Sequence, residues 1–155
     1  MPRLVTHDGA TVVGIGIVTS NAAEADPATA KIGKLWTRFR EDNLLDAIPA
    51  KKNPTMPVGV YTGYESDDRG QYRLIAGAAV LDKAAPTPEG MQRVSIPAGS
   101  YLMFEAEGEM PGVVIRTWQA IWRYFADHPG HVRAYATDFE IYPGPRAVEI
   151  YISIK

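Results

Sequence analysis

Asp138-Phe139-Glu140-Ile141-Tyr142 sets two carboxylates and a phenol inside an apolar, aromatic stretch. Read as a strand, alternation puts Tyr135, Thr137, Phe139 and Ile141 on one face, and Asp138, Glu140 and Tyr142 on the other. The first face has the composition of a core. The second is an unusual load for a segment of such high β propensity. It is either the wet side of a half-exposed strand, or Glu140 forms the floor of a ligand cleft. The chemistry of the second reading is definite. A carboxylate in apolar surroundings costs free energy unless it is paired or protonated, so it selects a positively charged guest. A cation over a tyrosine or tryptophan ring gains on the order of 0.5–2 kcal/mol more. Tyr61, Tyr64, Tyr101, Trp118, Trp122, Tyr142 and Tyr151 are the candidate walls.

The elements that must position these residues follow from periodicity. Residues 10–18 are β-branched and punctuated by glycine, and predict a strand. Asp26-Pro27 has helix-start chemistry. Ile32, Leu35, Trp36 and Phe39 then repeat at helical spacing, which predicts a helix to about Leu45 with Arg38, Arg40, Glu41 and Asp42 solvated. Residues 58–65 and 72–81 predict strands joined by a turn at Asp67-Asp68-Arg69-Gly70, after a loop over 51–54. Residues 83–90, with Pro86 and Pro88, read as a linker. Beyond it come strands over 91–96 and 101–106, and a helix opened by Pro111 and stopped by His128-Pro129-Gly130. That helix carries an apolar stripe of Val114, Trp118, Ile121, Trp122 and Phe125. Residues 132–142 and 147–154 predict a closing hairpin. Its last strand turns Val148, Ile150, Ile152 and Ile154 to the core, and Glu149, Tyr151 and Ser153 to the side expected for Glu140 and Tyr142. Core packing is the usual fate of a stripe at helical spacing and is the competing reading for Trp36, Trp118 and Trp122, foremost for Trp36.

The two halves overlay. Ile32, Leu35, Trp36 and Phe39 fall on Trp118, Ile121, Trp122 and Phe125 at one offset. Tyr64-Glu65 falls on Phe139-Glu140 at a smaller one, the difference being loop around 51–55. Glu65 thereby joins the candidate site, although a solvated strand edge also accommodates it. Each half reads β-α-β-β, too thin to be stable alone. The expectation is one domain over 1–155, with halves at about 1–84 and 91–155 packed about a pseudo-twofold axis. Such junctions are preferred ligand sites.

Composition narrows the function. The 155 residues carry a net charge of −2, so a basic nucleic-acid footprint is absent. No apolar run approaches the roughly 20 residues of a membrane span, and the N-terminus lacks the apolar core of a secretory signal. With no cysteine, disulfides and thiolate chemistry are excluded, which fits a cytoplasmic protein. His7, His128 and His131 have no metal-ligand spacing. Gly99-Ser100 lacks the context of a nucleophile elbow, and Gly14-Ile15-Gly16 lacks that of a phosphate loop. Neither a metal nor a cofactor is expected.

Ile96-Pro97-Ala98-Gly99-Ser100-Tyr101, Phe104, Gly108, Trp118, Trp122 and Asp138-Phe139-Glu140-Ile141-Tyr142 together resemble the GyrI-like effector-binding domain. This is the ligand-binding module of many AraC-type and MerR-type multidrug regulators, and it also occurs alone. The match covers residues from about Met91 onward well. The first half fits more loosely, through Leu35-Trp36, Phe39 and residues 58–80. The resemblance implies an α+β fold of duplicated β-α-β-β repeats, antiparallel sheets with two main helices, and a central ligand groove. It implies a buried glutamate on the groove floor, matched by Glu140, and aromatic walls for flat, often cationic molecules. The family's transcription factors carry a helix-turn-helix domain for which this sequence has no room, so direct nucleic-acid binding is not expected. The expected partners are an amphipathic or cationic small molecule, and a separate regulator protein or a second copy of the chain. Some stand-alone members hydrolyse reactive, DNA-alkylating molecules of cyclopropanoid type. By that resemblance Glu140, with Trp122 or Tyr142, is the alternative general base.

Overall fold

A computed structural model describes residues 2–81 and 84–155. Its elements are β1 (Arg3–His7), β2 (Ala10–Ser20), α1 (Asn21–Glu24), α2 (Ile32–Glu41), α3 (Leu44–Ala47), β3 (Val58–Thr62), β4 (Gln71–Val80), β5 (Gln92–Ile96), β6 (Gly99–Glu107), α4 (Gly112–Asp127), β7 (Asp138–Gly144) and β8 (Ala147–Ser153). The strands form one eight-stranded antiparallel sheet in the order β1-β6-β8-β7-β3-β4-β2-β5, and with the helices they make the α+β fold that the resemblance implied. Read outward from the β7–β3 pair, the order is β7-β8-β6-β1 on one side and β3-β4-β2-β5 on the other. The outermost strands are exchanged between the halves of the chain: β1, from the first, closes the β6 edge, and β5, from the second, closes the β2 edge.

Both faces of the sheet carry a buried cluster. On one face α2, through Leu35 and Phe39, and Ile48 just after α3 cover Val13, Ile15, Leu74, Ala76 and Ala78. On the same face α4 covers Leu102, Phe104, Val148, Ile150 and Ile152 through Val113 and Ile121. The opposite face has a core made of strand residues alone: Val12, Val58, Val60, Ile75, Ile96, Tyr101 and Phe139. With no helix over it, this cluster is buried because the sheet curls around it.

Several local expectations are corrected. Asp26-Pro27 opens no helix: the Asp26 carboxylate accepts from Ala28 N within a turn. Helix α2 starts at Ile32 and is capped from a distance by Glu24, whose two oxygens accept from Lys31 N at 2.9 Å and Ile32 N at 3.1 Å. It stops at Glu41, short of Leu45, because Asn43 takes the left-handed conformation at φ 51°. Strand β3 ends at Thr62, where Gly63 turns at φ 62°, so Glu65 lies in the exposed connection to β4. Residues 132–137 are not an extension of β7. Tyr135 breaks the alternation at φ 50° and turns away from the face assigned to it. Asp82 and Lys83, where the linker begins, lie outside the described residues.

One backbone contact fixes how β2 and β4 meet. Gly14 pairs with Gly77, and a Cβ on Gly77 would stand 2.0 Å from the Val13 carbonyl oxygen. Gly77→Ala should therefore lower unfolding free energy by at least about 2 kcal/mol, read as a shift in urea midpoint, because the obstacle is backbone and cannot rotate away.

Candidate functional site

Between α2 and α4, above the β3–β7 pair, lies a cleft of about 1440 Å³. Strand alternation puts Tyr61 on its floor from β3, and Glu140 and Tyr142 from β7. Helix α2 contributes Ile32 and Trp36, and α4 contributes Val114, Trp118 and Trp122. Each helix thus carries two apolar faces. Leu35 and Phe39 on α2, and Val113, Thr117 and Ile121 on α4, meet the sheet. The neighbouring rows meet the cleft instead. Thr117 can join a core row because its hydroxyl donates to Val113 O at 2.6 Å within the helix. The stripe expected on α4 therefore mixes two faces: Ile121 is core, while Val114, Trp118 and Trp122 line the cleft. Trp122 is 44% exposed and stands at the rim with Met110 and Ile115.

Glu140 is 1% exposed. Its Oε2 accepts from the Trp118 indole N–H at 2.7 Å and from the Tyr61 hydroxyl at 3.0 Å. Its Oε1 accepts from the Tyr142 hydroxyl at 2.7 Å. All three donors are neutral. Burial raises the Glu140 pKa above its ordinary value, and the three hydrogen bonds only partly offset it. Burial, and then the charge of Glu140, push the Tyr61 and Tyr142 hydroxyls well above the ordinary tyrosine value, so both remain protonated donors. Gly59, opposite Glu140 on β3, makes room for the group: a Cβ there would stand 3.0 Å from both Glu140 Oε1 and Trp36 Cζ2. The rings around the carboxylate brace one another. Trp36 meets Tyr142 edge-on at 5.3 Å, and Tyr61 meets Trp118 at 5.1 Å.

A second carboxylate on the same strand face is differently satisfied. Asp138 is fully buried. It accepts from Arg133 Nη2 at 2.8 Å, the Tyr64 hydroxyl at 2.6 Å, Ser153 N at 2.8 Å and Ser153 Oγ at 3.0 Å. Arg133 itself lines the cleft, over the Tyr135 ring at 4.3 Å. The sequence reading missed Arg133, Tyr135 and Tyr72 as lining residues, and Trp36, weighed there against core packing, lines the cleft. The one available signal was an arginine set in an apolar run five residues before a buried carboxylate.

Of the expected residues, the fold brings Glu140, Tyr142, Trp118, Trp122, Tyr64 and Tyr61 to this cleft. Tyr101 and Tyr151 lie on the opposite face of the sheet. Tyr151 pairs with Phe139 across β7–β8 and stacks on its ring at 4.5 Å, and Tyr101 packs edge-on to the same ring at 5.2 Å. The hairpin register pairs Glu140 with Ile150, which gives Tyr151 the other face, against the side expected for it. Glu65 is exposed in the turn, away from the cleft. Among the described residues no cluster of histidine and carboxylate side chains could hold a metal ion, and no helix is long and apolar enough to cross a membrane.

A raised pKa in the folded state means that this state holds the proton more tightly than the unfolded chain. The stability contributed by Glu140 is therefore full below its ordinary value of 4.5, and is lost as pH rises through the folded value. Tyr142→Phe removes a donor to the charged form. It should cost about 1.5–3 kcal/mol at a pH above the folded Glu140 value and clearly less below it, measured by urea unfolding across the titration.

Known proteins share this architecture. An integron cassette protein of the Vibrio cholerae mobile metagenome is 38% identical, with a TM-score of 0.83 over 99% of this chain and 95% of that one. SAV2435 bound to tetraphenylphosphonium superposes with a TM-score of 0.79 at 19% identity, over 100% and 94% of the two chains, a likeness of fold. The transcriptional regulator BrlR of Pseudomonas aeruginosa is 30% identical over 98% of this chain, which spans 54% of BrlR's length. The Cass2 family, described as integron-associated effector binding proteins, matches residues 3–154, and the chain belongs to that family.

Proposed function

We propose that this chain binds amphipathic, cationic small molecules in the cleft over Glu140, as one effector-binding domain of two repeat halves, about 1–84 and 91–155. The observation that carries the reading is the Glu140 carboxylate, buried under the cleft with three neutral donors and, among the described residues, no cation as a hydrogen-bond partner. A positive guest would stabilise the ionised form that burial disfavours. The rings of Trp36, Tyr61, Trp118 and Tyr142 would hold its apolar body, and Trp122, Ile115 and Met110 would meet the part that projects from the mouth. The proposed ligand set is therefore Glu140, Tyr142, Trp118, Trp122, Tyr64 and Tyr61, with Trp36 added, and without Tyr101, Tyr151 and Glu65.

The strand order about the β7–β3 pair supports the repeat reading. The tetraphenylphosphonium carried by SAV2435 supports a cationic guest, and the kinship with BrlR supports a role in sensing or sequestering effectors for a cytoplasmic regulator. That regulator would be a separate protein, or the chain would act as a homodimer, with DNA contacts made elsewhere. The cyclopropanoid hydrolase alternative uses the same carboxylate, and product analysis separates it from binding.

Tetraphenylphosphonium should quench tryptophan fluorescence saturably, and Glu140→Gln should weaken it by about tenfold or more. Neutral triphenylphosphine oxide should be nearly indifferent to that substitution. In the wild type, cation affinity should rise with pH through the folded Glu140 value, above 4.5, and Glu140→Gln should flatten the profile. Equal cation affinity in both proteins would contradict the reading. A cyclopropanoid probe recovered unchanged by mass spectrometry would support binding over hydrolysis.

A further inference from the structure

We propose that Arg133 limits the guest to a single positive charge, because the chain's own guanidinium already fills a second cation position beside Glu140. The inference rests on the binding reading above and sharpens its ligand class.

Asp138 and Glu140 are two residues apart on one face of β7, so their carboxylates stand roughly 7 Å apart along the strand. Each is set among aromatic rings, but they differ in their partners. Glu140 has only neutral donors. Asp138 holds Arg133 through Nη2 at 2.8 Å. The Arg133 guanidinium lies 4.3 Å from the Tyr135 ring centre, 5.9 Å from Trp118 and 6.0 Å from Tyr64. A carboxylate and three π faces are what an external cation would seek at Glu140, and here a residue of the chain occupies them. Trp118 is common to both positions: its indole N–H donates to Glu140 while its ring faces Arg133.

Arg133 also stands between the cleft and Asp138. It lines the cleft and is 7% exposed, whereas Asp138 does not reach the lining. Arg133 Nε is buried with no hydrogen-bond partner, so no further acceptor anchors the side chain on that edge. A guest with one charge places it at Glu140. A guest whose second charge falls on the Arg133 side of the cleft, away from Glu24, Asp46 and Asp68, meets the guanidinium in front of the Asp138 that pairs with it, a penalty of about tenfold in affinity.

Ethidium and propidium share one ring system, and propidium adds a quaternary ammonium on a propyl arm. Their dissociation constants would be measured by dye fluorescence and calorimetry on the wild type, Arg133→Gln, Arg133→Lys and Glu140→Gln. Glutamine can still donate to Asp138 without carrying charge. The wild type should bind ethidium at least about tenfold more tightly than propidium. Arg133→Gln should erase or reverse that ratio, Arg133→Lys should keep it, and Glu140→Gln should weaken both dyes. A wild type that binds propidium as tightly as ethidium overturns the proposal with no variant required. A folded Arg133→Gln protein with an unchanged ratio overturns it as well. Ethidium binding that ignores Glu140→Gln, or fails in the wild type, overturns the underlying binding reading instead.

Discussion

A carboxylate that two phenols and an indole hold away from water, with no cation among its partners, is the constraint around which this molecule is arranged. Three neutral hydrogen bonds hold the Glu140 carboxylate in place but supply no opposite charge to its ionised form. Burial therefore wins over hydrogen bonding and holds the group above its ordinary pKa. Such an arrangement costs stability in the free protein. A bound cation would make it favourable, which is the thermodynamic condition that the proposed sensor or sink requires.

Much of the fold serves that one position. The β3–β7 pair joins the two halves of the sheet and carries Gly59 opposite Glu140, where a side chain would collide with the carboxylate and with Trp36. Trp118 is packed by both helix-covered clusters, so the indole that donates to Glu140 is held from the two sides of the cleft. The helices show the same division of labour. One row of each meets the sheet, and the next row stays apolar because it lines the cleft. A helix whose apolar stripe is wider than its core contact requires is a physical sign of a lining element. Trp122 and Ile115 make that sign visible on α4.

Strand and helix identity, and the prominence of Glu140, were legible because periodicity and burial agree there. What escaped had specific causes. The N-terminus of α2 is capped by Glu24, a side chain from the preceding turn, so the local signal at Asp26-Pro27 pointed to the wrong residue. The face of Tyr151 depends on the hairpin register, which shifts between Ile141 and Gly144, and a slip of one residue exchanges faces. Overlaying Tyr64-Glu65 on Phe139-Glu140 assumed equal strand lengths, but β3 ends at Thr62 and leaves Glu65 in a turn. Arg133 and Tyr135 sit in an irregular segment, where alternation says nothing about direction. Curling of the sheet, which buries Phe139 and Tyr101 without a helix, is a property of all the strands together and leaves no mark in any single one.

The most direct test of this account is the titration of the Glu140 side-chain carboxyl carbon by NMR, in the free protein and with saturating tetraphenylphosphonium. The account predicts a pKa above 4.5 in the free protein and a clear fall when the cation binds, because the guest stabilises the charged form. An ordinary pKa that does not move on saturation would contradict it.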